Sequence, residues 1–238
     1  MSMTSALLVR PVTAERMFFA GMAVALSVTV FAGFSASYFL RSTTLPELTP
    51  LYRIHGFLFT MWFALLVAQT TLVARGRTDL HRRFGIAGAV VAAVMVIVGL
   101  TVSVEALRRG AAPPGVDPRS FFSLPLADIG IFGVLVVMAI SWRRQAEAHK
   151  RLVLLGTISL ITAAVARFIN LIEPQTSPLA LFIGTDVFVA ILIVYDMFSR
   201  GRLHWATWTG GAMVVVLKPA FVAMGFTSFW LALAGSLR

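Results

Sequence analysis

Apolar residues in this chain come in seven long runs, at roughly residues 17–40, 54–74, 84–105, 125–142, 151–172, 180–199 and 206–234. A helix of about 20 such residues crosses the ~30 Å hydrocarbon layer of a bilayer. Only helices and closed barrels can satisfy their backbone there. Barrel strands need only ~10 residues and alternate apolar with polar positions, and neither trait is present. The chain is therefore expected to be an all-α integral membrane protein with about seven transmembrane helices. Residues 1–16 form an N-terminal segment and 17–238 one transmembrane domain, with no room for a soluble one. Composition agrees, with 58% hydrophobic and 13% charged residues, against roughly 45–50% and about 25% in soluble domains. The first run is too long for the core of a cleavable signal peptide.

Turn chemistry separates the runs. Leu45-Pro46-Glu47 and Thr49-Pro50 follow the first, and Arg75-Gly76-Arg77 follows the second. Pro113-Pro114-Gly115 and Asp117-Pro118 lie in the longest loop, and Glu173-Pro174 and Ser177-Pro178 divide runs five and six. Lys218-Pro219 interrupts the last run, which is either one span or a span followed by an interfacial helix over 225–237.

The formal net charge is +10, with 20 Lys+Arg against 10 Asp+Glu. These basic residues cluster at the ends of apolar runs. That pattern points to topology and anionic lipid headgroups rather than nucleic acid. One face would carry Arg10, Arg16, Arg75, Arg77, Arg82, Arg83, Arg143, Arg144, Lys150, Arg151, Arg200 and Arg202, twelve in all, and the other face six. The asymmetry places the N-terminus in the cytoplasm and the C-terminus outside, in a bacterial inner membrane. With no cysteine in the chain, disulfides, thiolate metal sites and cysteine nucleophiles are excluded. No His-Glu-x-x-His motif, nucleophile elbow or phosphate loop is present, so hydrolysis is the poorest enzymatic reading and an enzymatic role stays open.

Three segments look alike: His81-Arg82-Arg83 with Gly88, His149-Lys150-Arg151 with Gly156, and His204 with Gly211. In each, glycine follows histidine by seven residues, close to two helical turns, so both share one face. They suggest one extra helix plus three repeated helical hairpins, with glycines that let neighbouring helices approach. His81, His149 and His204 would lie at similar depth on the cytoplasmic side. They could hold a metal, or a pair of them haem, with Asp79 or Glu147 orienting an imidazole. The alternative is that these residues are interfacial, with basic neighbours that snorkel to the headgroups.

A second set lies deeper. At ~1.5 Å per residue from the cytoplasmic ends, Asp128, Asp186 and Lys218 fall about 20 Å across, Arg167 about 25 Å, and His55, Asn170, Tyr38 and Glu105 near 30 Å. Asp128, Asp186, Arg167 and Lys218 balance to zero charge, so they form either a polar ligand pocket on the outer side or ion pairs that lock the bundle. Arg167, Asn170 and Glu173 follow a three-residue spacing on one face. A retinal Schiff base at Lys218 is disfavoured, because Val214 rather than a carboxylate or serine lies one turn before it, and snorkelling is the favoured role. Asp196, one turn from the cytoplasmic end of its span, reads as interfacial. Trp62 and Gln69 read as packing and helix–helix hydrogen bonding.

The stretch from Tyr52-Arg53-Ile54-His55-Gly56 through Trp62, Gln69, Gly76-Arg77 and His81-Arg82-Arg83, with His149-Lys150-Arg151-Leu152, Arg167 and Gly201-Arg202-x-His204 to Trp230, resembles an uncharacterised family of bacterial polytopic membrane proteins. A fainter likeness is to cytochrome b561-like proteins, where paired histidines hold haem, and to a four-histidine family linked to terminal-oxidase assembly. The residues thus support three readings. One is a cofactor protein using haem or metal, and another binds or transports a small ligand. The third is a non-catalytic accessory subunit of a larger membrane complex, its partner contacts made by small-residue faces and 19 phenylalanines.

Overall fold

The computed structural model describes the backbone of residues 3–172 and 178–238 and the side chains of 14–170 and 182–238. The expected break at Glu173-Pro174, and the place of Glu173 beside Arg167, lie outside the described residues. All regular structure among the described residues is helical. The helices are α1 (Met3–Gly33), α2 (Pro50–Ala74), α3 (Thr78–Arg108), α4 (Pro118–Phe121), α5 (Ser123–Ser141), α6 (Ala146–Ser159), α7 (Thr162–Ile172), α8 (Pro178–Arg200), α9 (Trp205–Ala212), α10 (Lys218–Met224) and α11 (Ser228–Gly235). Six stretches are long and apolar enough to cross a membrane, and α6 with α7 makes a seventh, bent by 47°.

Local chemistry sets the ends. Gly76 and Gly201 take φ of 75° and 67°, the left-handed backbone that closes a helix, and so start the turns into α3 and α9. Asp117 caps α4 by accepting from Arg119 N at 2.8 Å, with Pro118 at the first helical position. Hydrogen bonds from the Arg119 side chain and backbone hold the Asp117 carboxyl down at about 2.

Lys218-Pro219 does not end the last span. A π-helical turn, Met213–Leu217, sits immediately before it, and the helix continues to Met224. Proline crowds the carbonyl four residues back, here Val215, and the wider turn makes room for it. The break falls instead at 225–227, and α11 folds back on the end of the span, Trp230 meeting the Phe221 ring edge-on at 5.4 Å. Trp230 Nε1 donates to Arg119 O at 2.8 Å, and the ring lies against Leu107 and Phe122.

The centre of the bundle is α5 with α6. Phe132, Leu135, Leu152, Leu155 and Ile158 are fully buried there. Gly156 lets α6 close on α5, since a Cβ there would lie 3.3 Å from Leu135 Cβ. Gly211 similarly seats Val189 of α8, whereas Gly88 faces open space, so the close approach holds for two of the three repeated glycines. On the periphery, α3 and α8 expose Ile86, Val90 and Ile97, and Val187, Val194 and Phe198. Such stripes match hydrocarbon tails.

Where α1 crosses α7, the space is closed by the absence of a side chain. A Cβ on Gly33 would collide with the Ala164 backbone carbonyl, whereas one on Gly21 would meet nothing. Gly33→Val should therefore destabilise the fold by about 1–3 kcal/mol, as overpacking does. Thermal unfolding in detergent should show a clearly lowered midpoint for Gly33→Val and little change for Gly21→Val.

Candidate functional site

The arginine-rich end is organised by a buried ion-pair network. Arg151, one turn into α6, is fully buried. Its Nη2 and Nε donate to Asp196 Oδ1 at 2.5 and 3.0 Å, and its Nη1 donates to Glu147 Oε2 at 2.8 Å. Asp196, also fully buried, accepts from Thr207 Oγ1 at 2.6 Å and His204 N at 3.1 Å. Glu147 further accepts from Arg200 at 2.8 Å and Lys150 at 2.6 Å, and Lys150 pairs with Glu15 of α1. The expected interfacial places of Arg151 and Asp196 are thus overturned. Because α6 is central, a side chain aimed at the bundle axis meets α8 and α9 instead of headgroups.

The three histidines separate into a pair and a cap. His81 and His149 stand with ring centroids 6.3 Å apart at 76°. His149 Nδ1 lies 2.9 Å from Ala139 O, and the Gln69 amide of α2 reaches His81 Nδ1 at 2.8 Å. In that amide orientation Gln69 also accepts from Gly85 N at 3.0 Å. His204 instead caps α9, its Nδ1 accepting from Ala206 N at 3.1 Å. Burial first, then the charges of Arg151 and Arg200, hold its pKa below the ordinary range, in keeping with a ring that accepts a hydrogen bond. Among the described residues, no three His, Asp or Glu side chains group as metal ligands.

The second polar cluster sits where α6 breaks into α7. The last backbone bonds of α6 are the short type, Leu160 N to Thr157 O and Ile161 N to Ile158 O, at 3.1 and 3.3 Å. The Ser159 carbonyl is met by Lys218 Nζ at 3.2 Å. Lys218 is fully buried, pairs with Asp128 Oδ1 at 2.7 Å and donates to Thr162 Oγ1. Thr162 Oγ1 bonds Asp128 Oδ1 at 3.2 Å, and Ser159 Oγ bonds Asp128 O at 3.1 Å. Lys218 therefore does not snorkel. An unpaired carbonyl in a broken membrane helix is costly, and the ammonium satisfies it from within.

The expected balance of four intramembrane charges also divides. Asp128 and Lys218 pair, but Asp186 makes no ion pair among the described residues, and neither does Arg167. Arg167 is exposed on the bundle surface toward the opposite end. Its guanidinium lies 4.5 Å from the Phe34 ring centroid, and Nη1 donates to Ala163 O at 2.9 Å. It is close enough to act electrostatically on His55, whose ring stacks on Phe59 at 4.1 Å. Among the described residues, His55 Nδ1 is buried without a hydrogen-bond partner, as are Ser37 Oγ in the π-helical turn Ser35–Phe39 and Thr49 Oγ1 at the N-cap of α2. Asn170 lies exposed at the far end of the same bent span as Arg167. Tyr38 OH donates to Arg53 O at 3.2 Å, and Glu105 pairs with Arg109 at 2.6 Å.

Elsewhere, Trp62 Nε1 donates to Thr157 Oγ1 at 3.1 Å, joining α2 to α6 as the sequence suggested. Two apolar grooves, of about 400 and 330 Å³, are lined by residues such as Gln69 and Phe84, and by Phe122 and Trp230. Neither is lined by His55, Asp128, Arg167, Asn170, Asp186 or Lys218.

No family model, curated protein or solved structure matches this chain. Fold and polar groups together define its class: a polytopic α-helical membrane protein with buried charge at two depths.

Removing one partner of a buried ion pair costs about 3–5 kcal/mol, whereas replacing both with apolar groups is often neutral. Arg151→Met alone should then be severely destabilised. The double variant Arg151→Met/Asp196→Leu should recover most of the loss in a thermal-unfolding cycle. Equal damage in both variants would contradict the pairing.

Proposed function

We propose that this protein binds a small anion, of the carboxylate or phosphate class, at the end opposite the arginine-rich one. The observation that carries this is Arg167, an intramembrane cation beside His55, where among the described residues Arg167 has no carboxylate partner and the buried His55 Nδ1 no hydrogen-bond partner. Ionisable groups at this depth cost about 2.5–3.5 kcal/mol by insertion scales, and one left unpaired by the protein is a functional-site hypothesis by default. Guanidinium recognises planar oxyanions in bidentate fashion, and an imidazole nitrogen supplies a further donor. The Lys/Arg asymmetry supports an orientation with the arginine-rich end in the cytoplasm of a bacterial inner membrane, against anionic headgroups. The anion would then arrive from outside, as free solute or as a lipid headgroup.

Titration of the protein in nanodiscs with inorganic phosphate and with acetate tests this. Saturable binding of either should weaken at least tenfold, about 1.4 kcal/mol, in Arg167→Ala. If neither binds, native mass spectrometry should show a retained phospholipid that Arg167→Ala loses. Wild type and variant alike in both experiments would overturn the reading.

A second reading, cofactor binding at the arginine-rich end, is favoured by the His81–His149 spacing. Their ring centroids stand 6.3 Å apart, near enough for the two imidazoles to share one metal. His149 Nδ1 is engaged by Ala139 O, an outer contact of the kind that orients a metal-binding histidine, whereas His81 Nδ1 accepts from the Gln69 amide. Detergent-purified protein should carry haem absorbance or stoichiometric metal that His81→Gln and His149→Gln each remove. Colourless, metal-free protein that also takes up neither haem nor metal when supplied would exclude it.

A further inference from the structure

Where α11 folds back on the end of α10, a groove of about 330 Å³ is left between them and the start of α5. Its floor is Phe122, Trp230 and Ala234, all buried, one side is Phe221 of α10, and its rim is the exposed Leu233 and Leu237. The groove offers a ligand no polar partner, since the Trp230 Nε1 donor is already taken by Arg119 O at 2.8 Å.

Arginines ring the last turn of α11. Arg108, which ends α3, donates from Nε to Leu237 O at 3.1 Å, so the residue that edges the groove is tied to a guanidinium. Arg238 turns back over the end of α3, where a Cβ on Gly110 would lie 3.0 Å from its Nη2. Arg119 runs beside α11, its Cδ 4.0 Å from where a Cβ on Gly235 would stand. Asp117 occupies Arg119 by accepting from its backbone N, Nε and Nη2, and Glu105 occupies the neighbouring Arg109 at 2.6 Å. Arg108 and Arg238 are exposed and make no ion pair among the described residues. Among the side chains here, four guanidiniums stand with two carboxylates, and guanidinium is always charged.

An apolar groove with a cationic mouth, at the end of membrane spans, matches a ligand that is hydrocarbon at one end and anionic at the other. A second copy of this chain would bring its own excess of arginine, the net charge being +10. We propose that the groove holds one acyl chain of an anionic phospholipid, whose phosphodiester is bound by Arg108 and Arg238. The volume lies at the small end of the ~300–1,000 Å³ range of ligand sites, which suits one chain rather than a whole lipid. Guanidinium pairs with phosphate oxygens in bidentate fashion. The site is independent of the anion reading, since it shares no residue with Arg167 and His55.

Trp230 gives a local readout. The protein is reconstituted in phosphatidylcholine vesicles that carry a small share of lipid with brominated chains, which quench tryptophan on contact. The Trp230 contribution is the part of the emission missing in Trp230→Phe. Brominated phosphatidylglycerol should quench it at a lower share than brominated phosphatidylcholine, the preference being about fivefold per arginine. Arg238→Gln should lower the preference by about fivefold, and Arg108→Gln/Arg238→Gln should abolish it. Arg53→Gln, an exposed arginine of the same end, should leave it unchanged. The Arg238 side chain makes no hydrogen bond within the described residues, so Arg238→Gln decides the question by itself if the double variant fails to fold. If Trp230→Phe fails to fold, the phosphatidylglycerol retained in native mass spectra of wild type and Arg238→Gln gives the same comparison. Equal quenching or retention of the two lipids in wild type, or an undiminished preference in Arg238→Gln, would overturn the proposal.

Discussion

The buried pair of Arg151 and Asp196 is the interaction on which the arginine-rich end depends. Two charges taken out of water and lipid headgroups lose their solvation, and only close, multiply bonded geometry returns it. Here the guanidinium meets two carboxylates and a backbone carbonyl, and Asp196 is completed by Thr207 and the His204 amide. Those bonds run from α6 to α8 and α9, and Glu147 extends them through Lys150 to α1. Because the pair works only when all of these helices are in place, it specifies the packing more than it adds net stability. Hydrophobic forces cannot do this between helices in lipid, where tails are as apolar as leucine.

Small residues and breaks carry the specification along the rest of the bundle. Gly33 admits the backbone of α7, Gly156 admits α5, and Gly211 admits α8. Each contact fixes an axial position as well as a separation. The break between Ser159 and Thr162 bends the central span by 47°, and Lys218 caps it from a neighbouring helix just past a π-helical turn. Two irregular segments thus meet at one depth, where each satisfies the other's backbone or charge. Irregular backbone at membrane depth persists only where protein encloses it.

Much of this was legible in the chain. Run length gave the spans, and Arg75-Gly76-Arg77 gave the turn at Gly76. Ionisable residues within apolar runs marked Asp128, Asp186, Arg167 and Lys218 as the deep polar groups. The spacing of Glu147 and Arg151, one turn apart, also signals a pair, and a basic residue a full turn inside a span signals burial. Those cues stand beside Arg143, Arg144 and Lys150, which disguise Arg151 as one more headgroup contact. Asp196 near a helix end is ambiguous for the same reason. Depth from helical rise is one-dimensional, so it cannot show which way a side chain turns around its helix.

The sequence by itself determined that this is a multi-span helical membrane protein, because hydropathy and length are properties of each segment alone. It also determined where along each helix its charges fall, since rise per residue is fixed by backbone geometry. Only the tertiary structure decided the partners: Lys218 with Asp128 and not with Asp186, Arg151 with Asp196, His81 with His149 and not His204, and Arg167 near His55 with no ion pair among the described residues. Partner choice depends on the rotation and order of helices around the bundle. Those are set jointly by all the interfaces, through glycine contacts and breaks whose effect no single segment encodes.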